Sequence, residues 1–140
     1  MKKLYISKDL ELSPEKIVLM SDFINYCSDN LPIHADFKVF VVSEREPHQI
    51  ETTAAYYRGK NIIKVYGKKR ALVDVLRSIA HELTHLMQDE QGRLVGVIQD
   101  AGGEIEDEAN AKAGEIIKLF AKSADRRRDI YESIIRNGII

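Results

Sequence analysis

Apolar residues recur at intervals of three and four along four stretches of the chain, which is the spacing of one helix face. Ser13 and Pro14 open the first stretch with a capping residue and a proline suited to the first helical turn. Ile17, Met20, Ile24 and Cys27 form its apolar stripe. The pattern predicts helices over residues 13–30, 70–89, 103–122 and 125–138.

β-Branched and aromatic residues concentrate between the first two predicted helices. Residues 37–42 read FKVFVV, residues 52–57 read TTAAYY and residues 62–66 read IIKVY. The turn-forming sequence RGKN between the last two predicts a hairpin. The order of helix, three strands and three helices predicts an α+β fold, with a small, mostly antiparallel three-stranded sheet within residues 36–66.

The helix over residues 70–89 contains the sequence HELTH, from His81 to His85, which fits H-E-x-x-H. Four residues advance a helix by roughly 400°, so the two histidines project from nearly the same side and can bind one Zn²⁺. The metal would lower the pKa of a water molecule to about 7. Glu82 is then placed to act as the general base toward that water.

The periodicity of this helix also indicates which side the histidines occupy. Its apolar face consists of Leu72, Val75, Leu76, Ile79, Ala80, Leu83, Leu86 and Met87. On an ideal helix His81 and His85 lie roughly 160–180° from the centre of that face, so they are not core histidines. The alternative to a zinc site is a solvated polar helix face that carries two histidines.

A catalytic zinc usually takes three protein ligands, and the helix over residues 103–122 offers the third. The inner face of this helix is formed by Ile105, Ala109, Ala113, Ile116 and Phe120. Glu106 flanks that face, within roughly 50–90° of its centre, and is the predicted third ligand. Asn110, one turn later, is placed to support a ligand histidine, whereas Glu104 and Glu108 are predicted on the solvated side.

Other side chains are less favoured as ligands. His34 and His48 lie in or near predicted loops, where a surface role is the simpler interpretation. Gln88 and Gln91 stand where a longer zinc motif would require glycine and histidine, which excludes that class. Cys27, the single cysteine, excludes an internal disulfide and is expected to be a buried thiol.

Composition sets the broad class of the protein. The chain of 140 residues suits one domain over residues 1–140, with 44% hydrophobic and 31% charged residues. A net charge of -1 provides no global basic field, so no nucleic-acid partner is expected. No apolar run suits a membrane span and no secretory signal is evident, so no membrane partner and a cytoplasmic location are expected. The oligomeric state stays open, with a monomer slightly favoured.

The two motifs together resemble those of gluzincin metallopeptidases. EDEANAKAGEII, which begins at Glu106, is similar to the E-x-x-A-N-x-x-A segment of ImmA/IrrE-type and related minimal phage and bacterial metallopeptidases. The resemblance covers roughly residues 54–122. It implies a minimal zincin-like domain in which His81, His85 and Glu106 bind one zinc ion per chain and Glu82 is the base.

The expected function is therefore hydrolysis of peptide bonds in a dedicated protein substrate. The substrate would pair with an exposed strand, either Thr52–Tyr57 or Ile62–Tyr66. Candidate donors to the oxyanion are Tyr56, Tyr57, Tyr66 and His48. Two alternatives stay open: another metal hydrolase, such as a deformylase-like enzyme, and a metal-stabilised regulatory or binding module without proteolytic activity.

Overall fold

The computed structural model describes residues 2–94 and 103–123, which form a mixed α/β fold. Two of its three helices contact a four-stranded sheet, the third helix packs on the other two, and one hydrophobic core joins the helices to the sheet. Two single 3₁₀ turns, Lys8–Leu10 and Glu46–His48, interrupt the connections. The elements in chain order are β1 (Lys2–Ile6), α1 (Pro14–Asn30), β2 (Phe37–Val42), β3 (Ala54–Tyr57), β4 (Ile62–Tyr66), α2 (Leu72–Glu90) and α3 (Glu104–Lys122).

The sheet differs from the predicted one in strand number and in direction. Its order is β1-β2-β4-β3, with β1 parallel to β2, β2 parallel to β4, and only β3 and β4 antiparallel. The prediction of three mostly antiparallel strands was wrong because α1 connects β1 to β2, and a helical crossover joins parallel strands. The β3–β4 hairpin then places its second strand beside β2, so β4 also runs parallel to β2.

The predicted start of α1 is confirmed. The Ser13 hydroxyl accepts a hydrogen bond from the backbone amide of Lys16, 3.3 Å away, and thereby caps the helix. Met20, Ile24 and Cys27 are buried as predicted, but Ile17 is exposed and Leu19 and Phe23 take part in the core instead. The helix predicted over residues 125–138 lies outside the described residues.

Helix α2 is buried on nearly all sides, which the sequence pattern did not indicate. Its eight predicted core residues are buried, and so are Thr84, His85 and Gln88 on the opposite side. The alternative of a solvated polar face is not what the structure has, because α3 packs over this side of α2. This packing brings the acidic start of α3 against the histidines of α2.

None of the helices within residues 2–94 and 103–123 is both long and apolar enough to cross a membrane.

Candidate metal centre

The three predicted ligands meet between α2 and α3. Nε2 of His81 and Nε2 of His85 are 3.2 Å apart. The Glu106 carboxylate reaches both, with Oε2 at 3.1 Å from His81 Nε2 and Oε1 at 2.8 Å from His85 Nε2. Donor atoms bound to a tetrahedral zinc at 2.0–2.1 Å are about 3.3 Å from one another. The three side chains therefore hold their donor atoms at nearly the spacing that one zinc ion requires.

Gln88 determines which nitrogen of His85 points into this cluster. Its amide nitrogen donates to the carbonyl oxygen of Ile105 at 3.0 Å and to Oε1 of Glu108 at 2.8 Å. The amide oxygen is thereby left to face Nδ1 of His85, 2.8 Å away. An amide oxygen can only accept a hydrogen bond, so the neutral imidazole carries its hydrogen on Nδ1 and presents a lone pair at Nε2.

The Glu106 carboxylate is buried, and one of its two oxygens is left without a donor. Its side chain is 11% exposed, and Oε1 has no hydrogen-bond partner within the described part of the chain. The nearby Nε2 of His85 qualifies as an ion-pair partner only if the imidazole is protonated, and in the neutral tautomer two lone pairs face each other. A buried carboxylate in this position is costly unless a cation compensates it. The donor set therefore fits a divalent metal ion.

The environment of His81 also favours the neutral form that binds metals. Burial, followed by the neighbouring His85, holds the pKa of His81 below its usual range, against the opposing effect of Glu106. The Asn110 side chain hydrogen-bonds His81, as the helical spacing predicts. Each histidine thus has a polar neighbour that orients it, Gln88 for His85 and Asn110 for His81.

Glu108 is not a purely solvated residue, contrary to the prediction. Its Oε1 accepts from Gln88 and, at 2.9 Å, from the guanidinium of Arg93. These two hydrogen bonds lower the pKa of Glu108. Arg93, Glu108 and Gln88 form a chain of contacts that ends on His85, and we call it the His85 relay. Sequence reasoning missed it, although the spacing of Gln88 three residues after His85 was a usable signal.

Glu82, the predicted base, lies beside the cluster at the wall of a cleft. The cleft has a volume of about 240 Å³ and is lined by Gln49, Glu51, Thr52, Ala54, Ala55, Tyr56, Glu82 and His85. Glu82 itself is 9% exposed. Its charge raises the pKa of Tyr57, after the larger effect of burial, which places the carboxylate close to β3. The cleft thus connects a carboxylate and a ligand histidine to solvent.

The alternative ligands are held elsewhere. The backbone amide of His34 donates to the Glu90 carboxylate, and Nδ1 of His48 lies 3.0 Å from the Lys64 ammonium. Cys27 is buried in the core. Within residues 2–94 and 103–123, the cluster of potential ligands found is His81, His85 and Glu106.

The three tyrosines proposed as oxyanion donors differ in whether they border the cleft. Tyr56 lines the cleft, and its hydroxyl donates to the Asp89 carboxylate at 2.6 Å. The Tyr57 hydroxyl donates to the backbone carbonyl of His48, and the ring of Tyr66 lies beneath the Arg45 guanidinium. Tyr56 is thus the tyrosine of the three that borders the cleft, and a role for it in catalysis stays a prediction.

The chain was compared with protein-family models, with curated proteins and with solved structures, and none of them matched. The resemblance to gluzincins therefore depends on two short motifs.

Proposed function

We propose that the protein is a zinc-dependent endopeptidase that binds one zinc ion per chain through His81, His85 and Glu106. The observation that carries the proposal is the convergence of three electron-pair donors, one of them the buried Oε1 of Glu106 without a hydrogen-bond partner. Two imidazoles and a carboxylate are a common ligand set for catalytic zinc. Iron and manganese are weaker matches to this set.

The remaining residues supply proton transfer. A zinc ion in this site would supply Lewis-acid chemistry, lowering the pKa of water and polarising the scissile carbonyl. Glu82, beside the cluster and lining the cleft, accepts the proton of the attacking water and passes it to the leaving amine. The His85 relay and Asn110 hold the two imidazoles in the orientation that the reaction needs.

The open cleft favours catalysis over the alternative of a structural or regulatory metal site. Structural zinc sites have four protein ligands and are closed to solvent, whereas catalytic sites keep one position open. The described residues provide three ligands, and His85 borders the cleft together with Glu82. A substrate in the cleft would lie beside His85 and Glu82.

Strand β3 is the element best placed to hold a peptide. It is an edge strand, while β4 lies between β2 and β3 and cannot accept another strand. Ala54, Ala55 and Tyr56 of β3 also line the cleft. An extended substrate would add to β3 through main-chain hydrogen bonds and pass Glu82. The small side chains of Ala54 and Ala55 leave room for the substrate backbone.

The first experiment is elemental analysis of metal content on the wild type and on two variants. We expect about one zinc per wild-type chain and loss of most of it in Glu106→Gln, which keeps the shape of the side chain and removes its charge. Glu104→Gln, on an exposed carboxylate in the same helical turn, is the matched control and should keep its zinc. Absence of zinc from the wild type after reconstitution would refute the site.

A second experiment separates an enzyme from a metal-stabilised module. Glu82→Gln should retain zinc and lose hydrolysis of a peptide library, because Glu82 acts on protons and not as a ligand. Removal of a general base typically costs about 10²–10⁴-fold in rate. Equal cleavage by wild type and Glu82→Gln would contradict the assigned base, and zinc binding without cleavage of any peptide or protein would favour the module.

A further inference from the structure

The side of the sheet turned away from the helices carries aromatic and basic side chains. Successive side chains of a strand point to opposite faces, and the inward positions of all four strands belong to the core. Segment 43–51 covers one end of the opposite face, where Arg45 lies 4.4 Å from the centre of the Tyr66 ring and Val42 is buried. We call the part of this face that segment 43–51 leaves uncovered the outer sheet face. It consists of Lys3, Tyr5, Lys38, Phe40, Ala55, Tyr57, Ile62 and Lys64.

An aromatic pair stands at one edge of the outer sheet face. Tyr5 and Phe40 are register partners on β1 and β2, with ring centres 4.7 Å apart and planes inclined by 14°. This separation equals the distance between neighbouring strands, so the two rings stand roughly perpendicular to the sheet and stack face to face. Strand β1 is at the edge of the sheet that the described residues form, and Tyr5 is 42% exposed. The ring face of Tyr5 turned away from Phe40 is thus open to a further planar group.

Three lysines lie one row away from this pair. Lys3 and Lys38 are register partners, and Lys60 belongs to the turn between β3 and β4. All three are exposed and line a pocket of about 230 Å³ together with Asp36, Phe37 and Asn61. Two residues along a strand span roughly 6.6 Å, so the lysine row lies within one nucleotide of the Tyr5 ring. The pocket carries three ammonium groups against one carboxylate.

Lys64 has a different role on the same face. Its Nζ lies 3.0 Å from Nδ1 of His48 and sits 5.5 Å from the centre of the Phe40 ring and 5.3 Å from that of Tyr57. These contacts occupy the ammonium and cover Phe40 on the side away from Tyr5. The recognition surface is therefore the Tyr5 ring with the pocket of Lys3, Lys38 and Lys60.

We propose that the outer sheet face binds single-stranded RNA, with one base stacked on Tyr5 and backbone phosphates at Lys3, Lys38 and Lys60. Open four-stranded sheets that display aromatic rings bind single-stranded RNA in this way, by stacking bases and neutralising phosphates. Asn61 in the pocket offers both a donor and an acceptor to the ribose 2′-hydroxyl, which distinguishes RNA from DNA. This argument does not depend on the metal site, which lies on the helical side of the sheet.

The net charge of -1 led to the expectation that no nucleic acid is bound. A net charge, however, does not describe how the charges are distributed over the surface. The acidic first turn of α3, with Glu104, Glu106 and Asp107, belongs to the helical layer. The lysines of the outer sheet face are on the opposite side of the sheet. A chain of nearly zero net charge can therefore present a basic surface to a polyanion.

The test is fluorescence anisotropy with a labelled oligouridylate of about ten nucleotides, measured over a range of salt concentrations. With three phosphate contacts, log K should fall with log salt at a slope of about -2, and Lys38→Gln should reduce the slope by about 0.7. Tyr5→Leu should weaken binding about 5- to 150-fold without changing the slope, because stacking releases no counterions. Lys118→Gln, an exposed lysine of α3, should change neither quantity.

Several results would overturn the proposal. Undetectable binding by the wild type at low salt would refute the surface, and so would an equal loss of affinity in Lys118→Gln and Lys38→Gln. Equal affinity for a double-stranded RNA would contradict base stacking, and equal competition by an oligothymidylate of the same length would contradict RNA as the occupant. Circular dichroism establishes whether the variants fold. If Tyr5→Leu does not fold, the salt slope measured for Lys38→Gln still tests whether this face binds the RNA: an unchanged slope would refute the surface.

Discussion

The side-chain amide of Gln88 lies 2.8 Å from Nδ1 of His85, one helical turn earlier in α2. This contact directs the other nitrogen of His85, Nε2, toward Glu106 on α3. Gln88 is itself held by Glu108 and by the carbonyl of Ile105, both from α3. The orientation of His85 on α2 therefore depends on the docking of α3, the helix that supplies Glu106.

Replacing Gln88 with leucine should weaken zinc binding. The substitution fills a similar volume but removes the acceptor that holds the proton on Nδ1 of His85, so the imidazole loses its fixed tautomer and orientation. Loss of such a supporting contact typically costs about 10- to 100-fold in metal affinity. Competition with a chromophoric chelator measures the change directly.

Gln91→Leu is the matched control for this prediction. Gln91 directly follows the last residue of the same helix, is exposed, and accepts a hydrogen bond from Arg93. We expect its zinc affinity to stay within about twofold of that of the wild type, as is usual for surface substitutions. Equal affinities of Gln88→Leu and the wild type would show that the relay does not position His85.

Zinc should stabilise the folded protein. A ligand present at a hundred times its dissociation constant contributes about 2.7 kcal/mol to the free energy of unfolding. For a domain of this size the melting temperature should rise by on the order of 10 °C. Glu82→Gln should show the same rise, and Glu106→Gln should show almost none. A rise of equal size in Glu106→Gln would place the zinc at another site.

The cluster of His81, His85 and Glu106 could be predicted from the sequence because its geometry is local. His81 and His85 share one helix face through their spacing alone, and Glu106 was assigned from the periodicity of its own helix. Gln88 and Glu108 were not assigned, since their contact depends on how α2 and α3 align. Strand β1 was missed because its sequence KKLYI has only two inward apolar positions, Leu4 and Ile6. The parallel direction of β1, β2 and β4 depends on how the elements are connected, which the local sequence patterns do not encode.

His48 should titrate at an unusually low pH. Its Nδ1 accepts a hydrogen bond from the Lys64 ammonium, and protonation would replace this bond with repulsion. Burial and the charge of Lys64 lower the pKa of His48 from its ordinary value of 6.5, against a smaller opposing effect of Glu44. The unfolded chain therefore binds the proton first, and stability falls as the pH drops from 6.5 through the depressed pKa.

An NMR titration of the imidazole resonances tests this prediction. Lys64→Met should raise the pKa of His48 toward its ordinary value, whereas Lys38→Met, which removes a charge from another part of the same sheet face, should leave it unchanged. If the His48 pKa is not affected by Lys64→Met, burial alone accounts for the shift. A pKa at or above the ordinary value in the wild type would contradict the contact itself.

Cys27 should report on unfolding of the whole domain. Its side chain is fully buried in α1, and burial raises the pKa of the thiol, so the reactive thiolate is suppressed in the folded state. Reaction with a thiol-specific disulfide reagent should therefore be at least about a thousandfold slower than in the denatured chain, because it awaits transient unfolding. Rapid stoichiometric reaction under native conditions would place Cys27 at the surface. Zinc bound at the proposed site would stabilise the folded form, so a hundredfold excess over its dissociation constant should slow the reaction about a further hundredfold. The same addition should not slow it in Glu106→Gln, which makes the buried thiol an independent readout of the metal centre.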